Sequence, residues 1–306
     1  MHYMYTRHKA SVTLKLDKEM RLTIVKKKAS YTFFHIGGMN VSNNDLNLKL
    51  KLADQNLSDS ILHRNKHSLH GVSKEAETYI LFNLGIDSMD GHLNGALCLE
   101  QTDPETLFNE AKDFFSKDRR GFVIWVRDHA DLPLEAYLKE KGYTPLRIPG
   151  STGMLTEKPI ELPKTPEGVV IRKVACETEI EDYEVDVRDA FNKPAEVTRE
   201  MFSHERILTG ESVGAWVAYR DHRPIAAATM VFSGEAAGIY YVGTAADERG
   251  KGLGALMTAV ATNAGFELGA EVVVLQASIA GEPVYSRLGF ETITHYRWYL
   301  VEPGAF

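Results

Sequence analysis

Apolar positions along the chain switch between a period near 3.6 and a period of two, and the switches mark out its elements. From Asn43 onward, "NNDLNLKLKLADQNLSDSILHRNKH" sets apolar residues at helical spacing behind asparagine caps, which predicts a helix to about residue 66. Two apolar runs, "ETYILFNLG" and "LNGALCLE", read as strands, and "DPETLFNEAKDFFSK" reads as a helix with Asp103 as N-cap and Pro104 at its first position. "GFVIWVR" follows as a buried strand, "LPLEAYLKEKGY" as a short helix closed by Gly142, and "PLRIPGSTGMLTE" as an irregular strand. This half alternates helix and strand.

Residues 158–167 fall in "KPIELPKTPEG", whose prolines and charges follow no apolar period, the composition of an extended linker. Beyond it come strand "VVIRKV" and helices around "EIEDYEVDVRDAF" and "AEVTREMFSHERIL". Three strands follow, "VGAWVAYRD", "RPIAAATMVFSG" and "AAGIYYVGT", with joins short enough for antiparallel turns. A long helix is predicted from Lys251 to Leu268, its stripe made by Leu253, Leu256, Met257, Val260, Ala261, Ala264 and Leu268. Strand "EVVVLQAS", a short helix near "EPVYSRL" and strand "FETITHYRWYL" end the chain. At 306 residues the chain suits two domains, placed at 39–157 and 168–306 behind an extension over 1–38.

Composition narrows the class. With 44% hydrophobic and 25% charged residues the chain is ordinary for a globular protein, and no apolar run approaches the roughly 18 residues of a membrane span. Cys98 and Cys176 are the only cysteines, one in each half, which argues against a disulfide framework or a thiolate metal site. That usage suits a reducing compartment, and without a secretory pattern at the start the expected location is cytoplasmic. Residues 1–38 hold eight Lys/Arg against Asp17 and Glu19, a charge of +6; as the whole chain carries −7, residues 39–306 carry −13. So acidic a body is a poor partner for nucleic acid. The extension reads as a poorly ordered basic tail, with Met39 as an alternative natural start.

The most informative stretch is "TAADERGKGLGALMTAV", which follows a strand and opens the long helix. The first amides of a helix lack intrahelical acceptors and favour anions. Gly250, Gly252 and Gly254 put no side chains in front of those amides, and Arg249 and Lys251 add positive charge, so strand, glycine loop and helix together predict a phosphate cradle. The spacing matches neither the nucleotide-binding GxxxxGK[ST] loop nor the dinucleotide GxGxxG pattern.

"Arg249-Gly-Lys-Gly252-Leu-Gly254" fits the Arg/Gln-x-x-Gly-x-Gly pattern of the GNAT superfamily of acyl-CoA-dependent N-acetyltransferases, and "EPVYSRLGF" sets Tyr285 four residues before Gly289-Phe290, its second signature. The order of elements from 168 to 300 also resembles that superfamily. The resemblance implies an α/β (α+β) fold of two GNAT-like domains, each a mixed, mostly antiparallel sheet flanked by helices. It implies that acetyl-CoA lies along the strand, with Val242 and Thr244 offering backbone groups to the pantetheine arm. The amides of Arg249, Gly250, Lys251, Gly252, Leu253, Gly254 and Ala255 would then cradle the diphosphate. The Val242 N–H would polarise the thioester carbonyl and Tyr285 would protonate the departing sulfur, while a primary amine attacks directly.

The glutamate that several family members carry on the strand before the glycine loop is replaced here by Gly238, which leaves Glu235, Tyr240 or a water relay as substitutes. No metal is expected, because His204, His222 and His295 stand apart from other ligand types. In the first half Leu138 takes the tyrosine position before Gly142-Tyr143, and Asp103, Pro104 and Glu105 stand where a phosphate would need amides. That half reads as a degenerate copy without a cofactor. The alternative function is a non-catalytic acyl-CoA-binding or regulatory module, and a third possibility, two working sites, requires two CoA per chain.

Overall fold

The computed structural model describes residues 41–303, with side chains from residue 45, so the basic extension over 1–38 lies outside the described residues. From Leu46 onward the chain forms one compact unit. Its first half runs α1 (Val41–His67), β1 (Val72–Glu75), β2 (Tyr79–Asn83), β3 (Asn94–Cys98), α2 (Pro104–Ser116), β4 (Phe122–Arg127), α3 (Leu132–Glu140) and β5 (Ser151–Thr156). Strand β1 is an addition to the elements expected from the pattern. All four of its residues are exposed, so no apolar alternation announces it. Asp103 caps α2 as expected, accepting from the Thr106 amide, with Pro104 behind it.

The second half runs β6 (Val169–Lys173), α4 (Glu177–Phe191), α5 (Ala195–Met201), β7 (Val213–Arg220), β8 (Arg223–Ser233), β9 (Ala236–Thr244), α6 (Leu253–Glu267), β10 (Val272–Ala277), α7 (Glu282–Arg287) and β11 (Glu291–Val301). Helix α6 starts at Leu253, later than expected, because Gly252 stands at φ +83° and cannot continue a right-handed helix. Its buried face also takes in Thr258, Ala259 and Thr262, while Leu268 is left exposed, so the helix sinks deeper between its neighbours than a single stripe implies.

All strands join one 11-stranded sheet in the order β1-β2-β3-β4-β11-β5-β10-β9-β8-β7-β6. The pairings β3/β4 and β9/β10 are parallel and the others antiparallel, so each half repeats the same mixed plan. The halves are interlocked at the centre. Strand β5 of the first half pairs with β10, and β11 of the second half pairs with β4, so each half completes the sheet of the other. Residues 158–167 are likewise tied down: Asn263 of α6 accepts from the Ile160 amide and donates to the Ile160 carbonyl, both at 2.8 Å.

Helix α1 lies across both halves. Leu57 and Ile61 are fully buried in a cluster that contains Ile80, Leu97 and Trp125 of one half with Val231 and Tyr240 of the other. Burial of such a side chain is worth about 1.5–3 kcal/mol, so α1 acts as a strap across the interlocked sheet. Beside it Arg127, only 2% exposed, donates to Asp131 and to Asp54 at 2.8 Å each, and Asp54 also takes the Tyr296 hydroxyl and the His129 ring. One buried network thus joins α1, β4 and β11.

Candidate active site

Strands β9 and β10 pair only from Ala236–Gly238 against Val272–Val274; β10 keeps β5 on its other edge, and the β10-facing edge of β9 from Ile239 to Thr244 has no strand beside it. A cavity of about 370 Å³ opens at that fork, lined by Ile239–Val242, Gln276, Ser278 and Tyr285 of the second half and by Asp90, His92 and Arg147 of the first. A bulge shapes its wall: Ala227 pairs with Gly243 and Thr229 with Tyr240, so Tyr241 and Val242 together face Ala228. Tyr241 sits at φ +51°, a conformation that costs a non-glycine residue about 1–3 kcal/mol. Its hydroxyl accepts from Arg64 of α1, whose guanidinium lies 5.4 Å from the ring centre. The strained strand is thereby held from outside.

The glycine corner has the form that an anion site needs. Gly250 stands at φ +76° and Gly252 at +83°, and a Cβ added at either would meet no atom within 4 Å, so the space before them is open. No side chain caps α6, whose first turn closes only with the Leu256 amide on the Gly252 carbonyl at 3.0 Å. The amides of Leu253, Gly254 and Ala255 are the orphan donors that precede that bond. A Cβ at Gly254 would lie 3.8 Å from Thr244 Oγ1, which places the helix start against the end of β9. The two cations have other duties: Arg249 donates to the carbonyls of Thr244 and Ala190, and Lys251 pairs with Glu248 at 3.2 Å. The backbone is what the corner leaves available.

Tyr285 stands over the cavity on α7, its ring 6.1 Å from that of Phe290 and its Cε2 2.8 Å from where a Cβ on Gly281 would be. Desolvation pushes its phenol up to about 12, so it holds its proton at neutral pH. The Gly289-Phe290 signature has a local cause. Gly289 at φ +90° ends α7, and the Phe290 amide returns to the Tyr285 carbonyl at 3.0 Å, a left-handed helix stop. Gly142 and Tyr143 repeat this stop behind α3, with Tyr143 bonded back to Leu138.

The substitutes for a strand carboxylate fare poorly. A Cβ on Gly238 would lie 2.0 Å from Asn56 Oδ1, so α1 occupies the space of any side chain there. Asn56 also takes the Tyr240 hydroxyl at 2.8 Å. Glu235 lies in the turn before β9, seven residues from Val242, which is roughly 23 Å along a strand. The cavity instead holds groups that the sequence did not single out. Asp90 and His92, on the turn between β2 and β3, face the second half, where Lys193 bonds to Asp90. The only local trace of them is the turn "DGH", which carries no sign of a partner about 100 residues away.

A fork of parallel strands, a bulged strand edge, an uncapped glycine corner and a repeat of the plan in each half define a tandem GNAT fold. Residues 177–290 match the family model of the Acetyltransferase (GNAT) family, and that stretch is a GNAT domain, a fold of acyl transfer. Among solved structures, a GCN5-related N-acetyltransferase from Kribbella flavida is similar at 24% identity, over 83% of this chain and 96% of its own, with a TM-score of 0.64. A tandem GNAT protein from the clavulanic acid biosynthesis pathway is similar at 12% identity, over 87% of this chain and 97% of its own, with a TM-score of 0.57. A GCN5-related N-acetyltransferase from Sphaerobacter thermophilus is similar at 14% identity, over 75% and 82%, at 0.54. These likenesses carry the fold. No curated protein matches the sequence. No helix among the described residues is long and apolar enough to cross a membrane.

Proposed function

We propose that the second half moves an acetyl group from acetyl-CoA to a primary amine by direct attack. The observation that carries this reading is the alignment of open backbone groups: the uncapped start of α6 lies at the end of the unpaired edge of β9, as a diphosphate followed by an amide-bearing arm requires. In this reading the amides from Arg249 to Ala255 hold the diphosphate, Val242 and Thr244 hold the arm, and the Val242 N–H faces the carbonyl oxygen as it gains charge. Tyr285, kept protonated by its setting, supplies the proton that the departing sulfur needs.

The first half supports one acetyl-CoA per chain. The Asp103 carboxylate already occupies the start of α2, and where β3 and β4 part, the Arg127 guanidinium reaches the Leu99 carbonyl at 3.0 Å and fills the fork. The test is release of CoA thiol from acetyl-CoA in the presence of glucosamine, spermidine, L-lysine and L-phenylalanine. Turnover by the wild type that falls about 100-fold in Tyr285→Phe, with acetyl-CoA affinity retained, supports the reading. Tight acetyl-CoA binding without turnover of any of these amines favours the binding module.

A further inference from the structure

An incoming amine must lose a proton as it attacks, and the lining of the cavity limits which groups can take it. The Tyr240, Tyr241 and Tyr296 hydroxyls are committed to Asn56, Arg64 and Asp54. Arg147 presents only donors, and Lys193 is engaged by Asp90. Gln276 Oε1 is buried without a partner among the described residues, but an amide oxygen orients a donor and does not titrate.

His92 has the chemistry and the support. Its backbone amide and its Nδ1 both meet Asp90 Oδ1, at 2.9 and 3.2 Å, while Asp90 Oδ2 takes Lys193 from the loop between α4 and α5. Burial opposes a charge on Asp90, but the hydrogen bonds and charges of His92 and Lys193 outweigh it and hold the carboxyl well below the usual range. In the neutral ring, Nδ1 facing the Asp90 carboxylate is the nitrogen that keeps the proton, and Nε2 is the one that carries the lone pair. Nε2 has no hydrogen bond to any described residue, and the side chain is 26% exposed along the cavity wall. The ring is wedged edge-on between Trp125 and Trp298, at 5.0 and 5.2 Å, and lies 6.5 Å from the ring of Tyr241, which directly precedes Val242. Arg64 fixes the His92 carbonyl from α1. The charged and titratable groups packed around the ring are therefore Asp90, Lys193, Arg64 and Tyr241.

Resting on the acetyl-transfer reading above, we infer that His92, supplied by the half without a cofactor corner, is the general base that takes the amine proton directly or through one water. Asp90 and Lys193 are positioning residues that fix its ring and tautomer. As the amine nitrogen bonds to the carbonyl carbon, its proton passes to Nε2; the carbon–sulfur bond breaks, its electron pair stays on sulfur, and sulfur takes the Tyr285 proton. The imidazolium then returns a proton through solvent to the tyrosinate, so an N-acetyl amine and free CoA are the only products. The base that Gly238 has no room to carry is thereby supplied by the first half.

The experiment measures kcat and KM against pH for the full chain with acetyl-CoA and whichever of glucosamine, spermidine, L-lysine or L-phenylalanine it acetylates fastest. The wild-type profile is expected to fall on the acid side within about pH 5–8, where imidazoles titrate. His92→Gln should lower kcat by about 100-fold or more, abolish that limb and leave acetyl-CoA affinity within about twofold; added imidazole should restore part of the rate to His92→Ala. Asp90→Asn should lose rate less severely. A His92→Gln variant that keeps the wild-type rate, or keeps the wild-type pH profile without imidazole rescue in His92→Ala, overturns the inference while Tyr285→Phe still reports on acetyl transfer. A wild type that releases no thiol with any of the four amines overturns the acetyl-transfer reading itself, and His92 falls with it.

Discussion

Beneath the bulged strand, Asp186 of α4 is 3% exposed, and neither of its carboxylate oxygens has a partner among the described residues. Gly243 makes room for it, since a Cβ there would lie 2.8 Å from Asp186 Oδ2. Burial, with Asp189 nearby, pushes the carboxyl up to about 7. The folded protein thus keeps this proton to about pH 7 while the unfolded chain releases it near pH 4, so the contribution to stability is lost as pH rises between those values and stays lost above them. Asp186→Asn should therefore stabilise the protein at pH 8, by about 4 kcal/mol at most, and do little at pH 4. Denaturant unfolding at the two pH values measures the difference, and equal effects at both would contradict it. Gly238→Ala should destabilise by about 1–3 kcal/mol, because the new methyl must displace Asn56. At this scale the sequence shows what local spacing dictates. Gly252 and Gly289 are legible because a left-handed helix start and a helix stop have fixed residue requirements, whereas His92 is invisible because its setting depends on the fold bringing Lys193 to Asp90. Arg249 and Lys251 look like phosphate ligands in a string of letters, but their nearest acceptors are the carbonyls of Thr244 and Ala190 and the carboxylate of Glu248.

Among the elements, α1 carries the heaviest duty. It brings Asp54 to Arg127, Asn56 to the turn between β8 and β9, and Arg64 to Tyr241 and His92. Asp54→Ala leaves Arg127 paired with Asp131 but takes an acceptor away from Arg127, Tyr296 and His129. It is expected to cost about 1–3 kcal/mol and to lower the denaturation midpoint accordingly; an unchanged midpoint would show that Asp54 contributes nothing to the network. Helices and strands with a clear period were readable in the sequence, down to the Asp103 cap. Strand β1 was not, since an exposed edge has no burial pattern to betray it. Nor was the exchange of β5 and β11, because either sheet order buries the same apolar faces and sequence period does not choose the neighbour.

For the whole molecule, that exchange makes the two halves mutually dependent. Residues 168–306 expressed alone would leave β10 without β5 and β11 without both of its neighbours, so this fragment should show no cooperative thermal transition. A fragment that melts like the full chain would contradict it. The interlock also explains how a half with a capped α2 and a filled fork can persist: it closes the working sheet and carries His92 to the cavity. The most direct measurement is calorimetric titration of acetyl-CoA into the full chain and into Gly252→Val, with circular dichroism to establish that both are folded. One site per chain, weakened at least about tenfold in the variant, which is a loss of about 1.4 kcal/mol, is the expected result; two sites, or undiminished affinity in a folded Gly252→Val, would contradict the placement of the diphosphate on the amides of this corner.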